Sequence, residues 1–518
     1  MANRVRPTQD QSVFPVVPGR WWFAVFAVAA GVIFLNPVGY IGSGADDWQY
    51  FDAARCWVAH GPCLPHNHWQ GRWPLIAPTA VAIALLGESR LSVSIAPLAA
   101  SLACLVLLAQ IGNRLFSPPT GWVAALILAT TPIFALQMLD PSVEAIELFF
   151  LLLGLNILLR LKRTRGYVLP FLAGLSFAMA VQTRETALVA GPFAAVFLWK
   201  SVPAGHRAEI AVFGLSFGLP FLIEALIFYS SVGDPFWRRR LSIHHTLIPS
   251  TELKSQADPT HLPFFNLSYI ANWRHQPGIQ VHWAFDGLLN LLVNVKAGLS
   301  FAIAPVLLVV YRARIHLEEH KLCAILLVLA LCFASLLIYG LAIDPKPRMM
   351  FVPISACSLV LSFLMVRFWR TSSGVVMKAT AAVVAIVELY VIFVEERPYL
   401  ADNVAAAWVS AAPGQVETIE LTRTSLAFVP QTGSLPEIGS GAPLLLLRVG
   451  KGCSPWLDHV GLGQSTLEVI KEKRLGYSAG SRFGRSGSLC LFRYRKPTSV
   501  EEVERAMEQG SERPMRGS

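Results

Sequence analysis

Long apolar runs, separated by short polar segments, dominate the pattern of hydrophobic and polar positions between residues 21 and 394. A helix needs roughly 20 apolar residues to cross a bilayer, and about eleven of these runs approach that length. The predicted spans are residues 21–41, 91–111, 120–139, 143–161, 168–182, 187–199, 210–230, 288–310, 322–341, 349–366 and 375–394. The pattern therefore predicts a polytopic α-helical membrane protein.

The composition agrees with this pattern. Hydrophobic residues make up 54% of the 518 residues and charged residues only 15%, whereas a soluble domain carries about a quarter of charged residues. The formal net charge is +10, but Lys and Arg in a membrane protein mostly mark cytoplasmic loops. We therefore expect membrane lipids as partners, and no nucleic acid.

The basic residues predict the orientation of the chain. With the N-terminal tail in the cytoplasm, every cytoplasmic turn carries Lys or Arg, in agreement with the positive-inside rule. These turns contain Arg114, Lys162, Arg163, Arg165, Lys200, Arg207, Arg312, Arg314, Lys321, Arg367, Arg370 and Lys378. The agreement requires that residues 168–199 form two helices that turn near Arg184, and that residues 73–86 form an amphipathic helix on the outer face. We expect a multi-pass protein of the inner (plasma) membrane.

Four regions follow from this topology. They are a cytoplasmic tail (1–20), a transmembrane module (21–395), a small periplasmic α/β domain (396–496) and a disordered tail (497–518). The module has two large outer segments, the first outer loop (residues 42–87) and the second outer loop (residues 232–286). In the α/β domain the pattern predicts strands over residues 443–449 and 489–494 and a helix over residues 464–474.

Four cysteines fall in the predicted outer segments: Cys56, Cys63, Cys453 and Cys490. An oxidising outer compartment would allow two disulfides, Cys56 with Cys63 and Cys453 with Cys490. A metal site is the weaker interpretation, because the spacings do not match zinc ligand pairs.

Charged residues on the outer side point to chemistry. The adjacent carboxylates Asp46 and Asp47 follow the first span, where they are costly unless they are solvated or used. Basic residues on this side run against the positive-inside trend, and they include Arg72, Arg238, Arg239, Arg240, Lys346 and Arg348. An anionic ligand such as a phosphate would explain them. For the arginine triplet, contact with anionic lipid headgroups is an equal alternative.

The order of these motifs resembles the GT-C glycosyltransferases of the bacterial family 39 type, which include the protein O-mannosyltransferases and the lipid A aminoarabinose transferases. The resemblance covers about residues 20–395. The residues that carry it are Asp46-Asp47-Trp48-Gln49-Tyr50, His68-Trp69, Arg72, Trp73-Pro74-Leu75, Leu85-Leu86-Gly87, Gly233-Asp234-Pro235 and Lys346-Pro347-Arg348. The second acidic position is Asp where the aminoarabinose transferases have Glu.

This resemblance implies a membrane enzyme that transfers a sugar from a polyprenyl-phosphate donor to an acceptor hydroxyl of a glycan, lipid or protein. Asp46 would be the general base. Asp47 would orient the acceptor, tune Asp46 or hold a divalent cation, the one cofactor that the pair could bind. The remaining residues expected to bind substrate are Tyr50, His68, Arg72, Lys346, Arg348, Arg238, Arg239 and Arg240.

Polar residues within or beside the spans leave further alternatives. Glu144 and Glu147 could face the active cavity or cap their helix, and Arg184 could pair with Glu185. Glu224 is expected to pair with Lys296 inside neighbouring spans. The competing function is a transporter or flippase, but such proteins usually carry internal repeats, and the chain shows no convincing repeat.

Overall fold

The computed structural model describes most of the transmembrane module and parts of the C-terminal domain. The described residues are 19–35, 46–161, 166–201, 207–244, 283–340, 347–394, 404, 408–409, 411, 415–418, 443–449, 453–460, 467–474 and 488–495. Lys346, most of the second outer loop, nearly all of the predicted N-terminal tail and the whole predicted C-terminal tail lie outside them.

The described part of the transmembrane module is helical. Its α-helices are Gly19–Leu35, Asp46–His60, Trp73–Leu86, Arg90–Leu115, Pro118–Thr130, Pro132–Gln137, Val143–Leu161, Val168–Thr183, Ala190–Ser201, Arg207–Val232, Trp237–His244, Trp283–Leu292, Leu299–Tyr311, Leu317–Ser335, Phe351–Phe368 and Gly374–Val394. Short 3₁₀ helices, Glu185–Val189, Val295–Ala297 and Pro347–Met350, join several of them.

Five of the described helices are long and apolar enough, by length and composition, to cross a membrane: Leu91–Leu115, Arg207–Val232, Leu317–Ile338, Pro347–Phe368 and Gly374–Ile392. Their packing differs. Only 11% of the apolar window of Arg207–Val232 is buried inside the protein, against 89% for Pro347–Phe368. Helix Arg207–Val232 therefore presents its apolar surface to the surroundings, as lipid contact requires. Helix Pro347–Phe368 forms the centre of the bundle. The fold is that of a polytopic helical membrane protein.

Two predicted spans are interrupted. Residues 120–139 divide between two helices at Pro132, which has no backbone N–H to continue the first one. Residues 288–310 break between Leu292 and Leu299, where the Asn294 side chain accepts a hydrogen bond from Lys296 N and Gly298 has φ +82°. A positive φ favours glycine and ends regular helix. The expected turn in residues 168–199 is present, since Val168–Thr183 ends just before Arg184.

The first outer loop is itself largely helical. Helix Asp46–His60 packs against helix Trp73–Leu86, and a disulfide bond joins Cys56 to Cys63 at the end of the first of these helices. The second helix is not amphipathic as expected, because apolar side chains cover its exposed face as well as its buried face. Those exposed side chains are Val81, Leu85 and Leu86.

The described part of the C-terminal domain contains a four-stranded sheet with strand order β1-β2-β4-β3. The strands are β1 (Val416–Thr418), β2 (Leu444–Val449), β3 (Leu467–Arg474) and β4 (Ser488–Tyr494). β1 pairs parallel with β2, and β4 pairs antiparallel with both β2 and β3. A disulfide bond joins Cys453, in helix Cys453–Val460, to Cys490 in β4.

The predicted helix over residues 464–474 is wrong, because β3 occupies this segment. Its Glu, Lys and Arg residues favour helix in isolation. Pairing with β4 overrides that preference, and charged side chains suit a strand at the edge of a sheet.

Candidate functional site

The acidic pair begins helix Asp46–His60. The structure describes the backbone there but not the side chains of Asp46 and Asp47. Tyr50 stands four residues after Asp46, which is one helical turn. The pair is therefore placed at the start of an ordered helix rather than in an irregular loop.

Tyr50 and Arg72 form the first described contact of the site. Tyr50 is 2% exposed, and Arg72 Nη1 donates a hydrogen bond of 2.5 Å to its hydroxyl oxygen. Arg72 also lies over the Tyr50 ring, with Cζ 5.8 Å from the ring centroid. The Arg72 carbonyl accepts hydrogen bonds from Leu75 N and Ile76 N at the start of the next helix. The Arg72 backbone is therefore fixed at the start of helix Trp73–Leu86, and its guanidinium is held by Tyr50 of helix Asp46–His60.

The segment between these helices is tied to helix Asp46–His60. Asn67 Nδ2 donates to Gln49 Oε1 at 2.8 Å, and Asn67 Oδ1 accepts from Gln70 N at 3.0 Å. The His68 and Trp69 rings lie 3.7 Å apart between centroids, and Trp69 is buried. The backbone that carries His68 is thus well supported.

The second outer loop begins by docking on the first. Gly233, with φ +73°, follows helix Arg207–Val232, and helix Trp237–His244 starts four residues later. Trp237 Nε1 donates to the carbonyl oxygen of Pro65 at 3.1 Å, and Arg238 Nη1 donates to that of Gly71 at 3.1 Å. These two contacts bracket the segment that carries His68.

Arg238 also forms ion pairs with two carboxylates. Its Nη1 lies 3.1 Å from Glu224 Oε1 and its Nε 3.3 Å from Glu185 Oε1. Its Nη2 donates to the Gln182 carbonyl oxygen at 2.6 Å, and its Nη1 donates to Gln182 Oε1. Gln182 Nε2 in turn donates a hydrogen bond to Glu224 Oε2 at 3.0 Å. The Arg238 guanidinium is therefore engaged by protein groups on several helices.

The other two arginines of the triplet have different surroundings. Arg239 and Arg240 are exposed. Arg240 pairs with Asp234, with 2.8 Å between Nη2 and Oδ2, and its Cζ lies 5.9 Å from the Trp237 ring centroid. Of the three adjacent arginines, Arg238 is thus largely buried and joins several helices, whereas Arg239 and Arg240 are exposed cations.

A second charged cluster lies where helix Val143–Leu161 begins. Glu144 Oε1 lies 3.8 Å from both Arg184 Nη1 and Arg348 Nε. Arg184 Nη1 also lies 3.8 Å from Glu147 Oε2, and Thr186 Oγ1 donates to Glu147 Oε1 at 2.8 Å. Arg348 keeps 28% of its side chain exposed, against 6% for Arg184. Arg348 is therefore the cation of this cluster that solvent or a ligand reaches.

The two clusters adjoin through Arg72. The charge of Arg72 interacts with those of Glu147 and Glu185, and its helix contacts both Val143–Leu161 and Val168–Thr183. The structure thus brings Tyr50, Arg72 and Arg348 to one end of the bundle. Lys346 cannot be placed, because it lies outside the described residues.

Sequence reasoning missed the partners of Arg238. It expected Glu224 to pair with Lys296 and Arg184 to pair with Glu185, whereas Glu224 and Glu185 both contact Arg238. A signal was present, because a polar residue inside an apolar run requires a partner. The identity of that partner depends on contacts distant in sequence, which no local pattern contains.

The described residues contain no group of three or more His, Cys, Asp or Glu side chains that could hold a metal ion. That statement does not extend to Asp46 and Asp47, whose side chains are not among those described. A divalent cation at this acidic pair stays a prediction.

Residues 75–227 match the family model of the dolichyl-phosphate-mannose-protein mannosyltransferases. The matched segment includes Glu144, Arg184 and Glu224, but it begins after Arg72 and ends before Arg238. No curated protein matches the chain.

Among solved structures, the chain is similar to ArnT from Cupriavidus metallidurans bound to undecaprenyl phosphate, with 12% identity, a TM-score of 0.49 and coverage of 91% of this chain and 98% of that chain. The Archaeoglobus fulgidus oligosaccharyltransferase in complex with zinc and sulfate has 14% identity and a TM-score of 0.47, over 80% of this chain and 58% of that one. The archaeal oligosaccharyltransferase AglB from the same organism, in complex with an inhibitory peptide and a dolichol-phosphate, has 12% identity and a TM-score of 0.43, over 82% and 61%. The family match confirms the resemblance to the membrane glycosyltransferases over residues 75–227, which are less than half of the chain.

Proposed function

We propose that this protein is a membrane glycosyltransferase that transfers a sugar from a polyprenyl-phosphate donor to an acceptor hydroxyl at the outer face of the inner membrane. The observation that carries the proposal is the contact of Arg72 with Tyr50, one helical turn after Asp46. It places a cation beside the start of the helix that carries the acidic pair. The family match over residues 75–227 supports the same reaction class.

Transfer needs a base for the acceptor hydroxyl. In this proposal Asp46 takes the hydroxyl proton while the acceptor oxygen bonds to the anomeric carbon, and the bond from that carbon to the phosphate oxygen breaks. The anomeric centre inverts in such a single displacement. Asp47 orients the acceptor, tunes Asp46 by like-charge repulsion or holds a divalent cation.

The departing polyprenyl phosphate carries negative charge and needs stabilisation. Arg348 suits this task because its side chain is 28% exposed and is oriented by the nearly buried Glu144. Arg72 contacts Tyr50, one helical turn after Asp46, and we assign Lys346 to the same phosphate as Arg348 because it is two residues away. An Arg fork matches phosphate oxygens, while Lys acts as a point charge.

The remaining predicted residues take other roles. His68 would hydrogen-bond the substrate from the segment that Gln49 and Asn67 support. Arg238 is a positioning residue rather than a phosphate ligand, since Gln182, Glu185, Glu224 and Gly71 engage it. Exposed Arg239 and Arg240 would meet lipid headgroups or the donor phosphate.

The test is sugar transfer by the purified protein in detergent, with a panel of radiolabelled polyprenyl-phosphate sugars and a membrane extract as the acceptor. We compare the wild type with Asp46→Asn and with Asp458→Asn, an exposed acidic residue of the C-terminal domain. Transfer by wild type and Asp458→Asn, with loss in Asp46→Asn and retained donor binding, supports the proposal.

The opposite result is equally informative. If no donor is transferred or hydrolysed and Asp46→Asn folds and behaves like the wild type, the enzyme assignment is wrong. A transporter or flippase then becomes the better interpretation, and lipid translocation in vesicles would be the next measurement.

A further inference from the structure

A cavity of about 510 Å³ lies against helix Asp46–His60, between this helix, the segment that follows it and Glu88. Its volume falls within the range of about 300–1,000 Å³ that small-molecule sites occupy. The residues that line it on the helix include Asp52, Arg55 and Ala59. Tyr50 and Arg72 do not line it, so the cavity is separate from the contact between these two residues.

The less exposed part of the lining is apolar. It consists of Ala53, Trp57, Leu64, Pro65 and the disulfide between Cys56 and Cys63. The disulfide ties the end of the helix to the next segment, so this part of the wall is held in place before any ligand arrives. Prior ordering of a site reduces the entropy lost on binding.

The more exposed part of the lining is polar except for Val58 and Ala59, and several of its polar side chains are already paired. Arg55 Nε pairs with Glu88 Oε1 at 2.9 Å, with about half of each side chain exposed. Gln70 Nε2 donates to Asp52 Oδ2 at 3.4 Å, and Gln70 Oε1 accepts from His66 N at 3.0 Å. The Gln70 amide is therefore oriented by two partners at the edge of the cavity.

The charges of this lining do not suit the donor phosphate. The Arg55 cation is paired with Glu88, and Asp52 adds a further negative charge. An anion would meet this carboxylate at close range, whereas a neutral ligand avoids that repulsion. The cavity thus differs from the surroundings of Arg348.

Hydroxyl groups fit the same lining. Each hydroxyl donates one hydrogen bond and accepts others. The carboxylates of Asp52 and Glu88, the amide of Gln70 and the imidazole of His66 offer matching partners at the edge of the cavity. The C–H face of a pyranose is apolar and packs on aromatic and aliphatic side chains, here Trp57 and Leu64. A polar rim above an apolar wall is the arrangement of small-molecule sites in general.

We propose that this cavity binds a neutral pyranose unit of the acceptor glycan. The proposal rests on the proposed glycosyltransferase function for the identity of the acceptor. Asp52 follows Asp46 by six residues, or about 9 Å along the helix axis. The bound pyranose therefore lies against the same helix as the proposed base, but about a third of a turn around it. The acceptor glycan must extend by a few units around the helix for its terminal hydroxyl to be glycosylated.

Saturation-transfer NMR on the full-length protein in detergent tests the site without any need for activity. The probes are neutral monosaccharides and disaccharides, with glycerol as a non-sugar polyol. We expect saturation transfer to a pyranose, binding about tenfold weaker in Gln70→Ala because the rim loses its oriented amide, and no binding in Ala59→Trp. Ala59 is exposed, so the larger side chain fills the cavity without entering the core. Asp458→Asn, far along the chain in the C-terminal domain, is the matched control.

Transfer kinetics distinguish the acceptor from the donor as the source of the pyranose. Gln70→Ala should raise the KM for the acceptor and leave the KM for the donor unchanged. If only the donor KM rises, the acceptor assignment is wrong. If no pyranose binds more than glycerol does, or Ala59→Trp binds as the wild type does, the site itself is wrong. Pyranose binding by a protein that transfers no sugar would refute the proposed reaction but not the cavity.

Discussion

Arg238 Nη1 donates a hydrogen bond to the backbone carbonyl oxygen of Gly71, 167 residues earlier in the chain, at 3.1 Å. The bond joins the start of the second outer loop to the residue just before Arg72. Because Arg238 also forms ion pairs with Glu224 and Glu185, one side chain links the two outer loops to the helical bundle. The position of Arg72 thus depends on a residue that carries no proposed chemistry.

The first prediction concerns Arg238→Gln, which leaves the nearly buried Glu224 without its cation. Breaking such a pair typically costs about 3 kcal/mol, and the first outer loop should lose its support. We expect a lower unfolding temperature, faster amide hydrogen exchange over residues 66–72 and reduced transfer. Arg312→Gln, at an exposed position on the predicted cytoplasmic side, is the control and should change none of these. Adding Glu224→Gln to Arg238→Gln should recover part of the stability, and an additive double variant would contradict the pairing.

The second prediction concerns the hydroxyl of Tyr50. Tyr50→Phe removes the acceptor of the Arg72 hydrogen bond but retains the buried ring. A hydrogen bond to a charged group is worth about 1.5–3 kcal/mol, so we expect kcat/KM to fall by about tenfold or more. Transfer assays at saturating and limiting donor measure the effect. Tyr167→Phe, at an exposed position outside the site, should be neutral, and equal losses in both variants would contradict the role of Tyr50.

The third prediction concerns Arg348. Arg348→Ala should raise the donor KM by about 10- to 100-fold, because it removes a charge-assisted contact with phosphate. Arg348→Lys should recover part of the loss, since the charge remains but the fork does not. Equilibrium binding of polyprenyl phosphate without a sugar measures the contact directly. Arg312→Ala, an exposed position on the predicted cytoplasmic side, should bind as the wild type does. Unchanged binding by Arg348→Ala would remove Arg348 from the site.

The fourth prediction concerns the two disulfides. Loop-closure entropy predicts that a disulfide stabilises the folded state by about 2.5 kcal/mol when it closes a ring of roughly eight residues. For a ring of roughly forty residues the predicted stabilisation is about 4 kcal/mol. The bond between Cys453 and Cys490, separated by 37 residues, should therefore stabilise its domain more than the bond between Cys56 and Cys63, separated by 7, stabilises the first outer loop. Proteolysis of each Cys→Ser pair variant under non-reducing conditions compares them. Equal sensitivity of the two regions would contradict this ranking.

Much of the fold was accessible from the sequence. Apolar runs near bilayer length predict helices wherever they occur, because lipid offers no partner for unsatisfied backbone groups. The turn before Arg184 followed from loop charges, and the strands near residues 444 and 488 followed from short apolar runs of strand length. The breaks at Pro132 and Gly298 were missed, because most residues around them are apolar and a span is recognised by the length of its apolar run. The strand at residues 467–474 was missed because its pairing with β4 outweighs its local preference for helix.

The sequence by itself determined which residues are chemically unusual: an acidic pair after the first span, basic residues on the outer side, and polar residues within apolar runs. Only the tertiary structure decided which of them meet. It assigned Arg238 to Glu224 and Glu185, Arg348 to Glu144, and Arg72 to Tyr50. The physical reason is that hydropathy and loop charge act locally along the chain. The partner of a buried charge is set instead by the packing of helices that are distant in sequence.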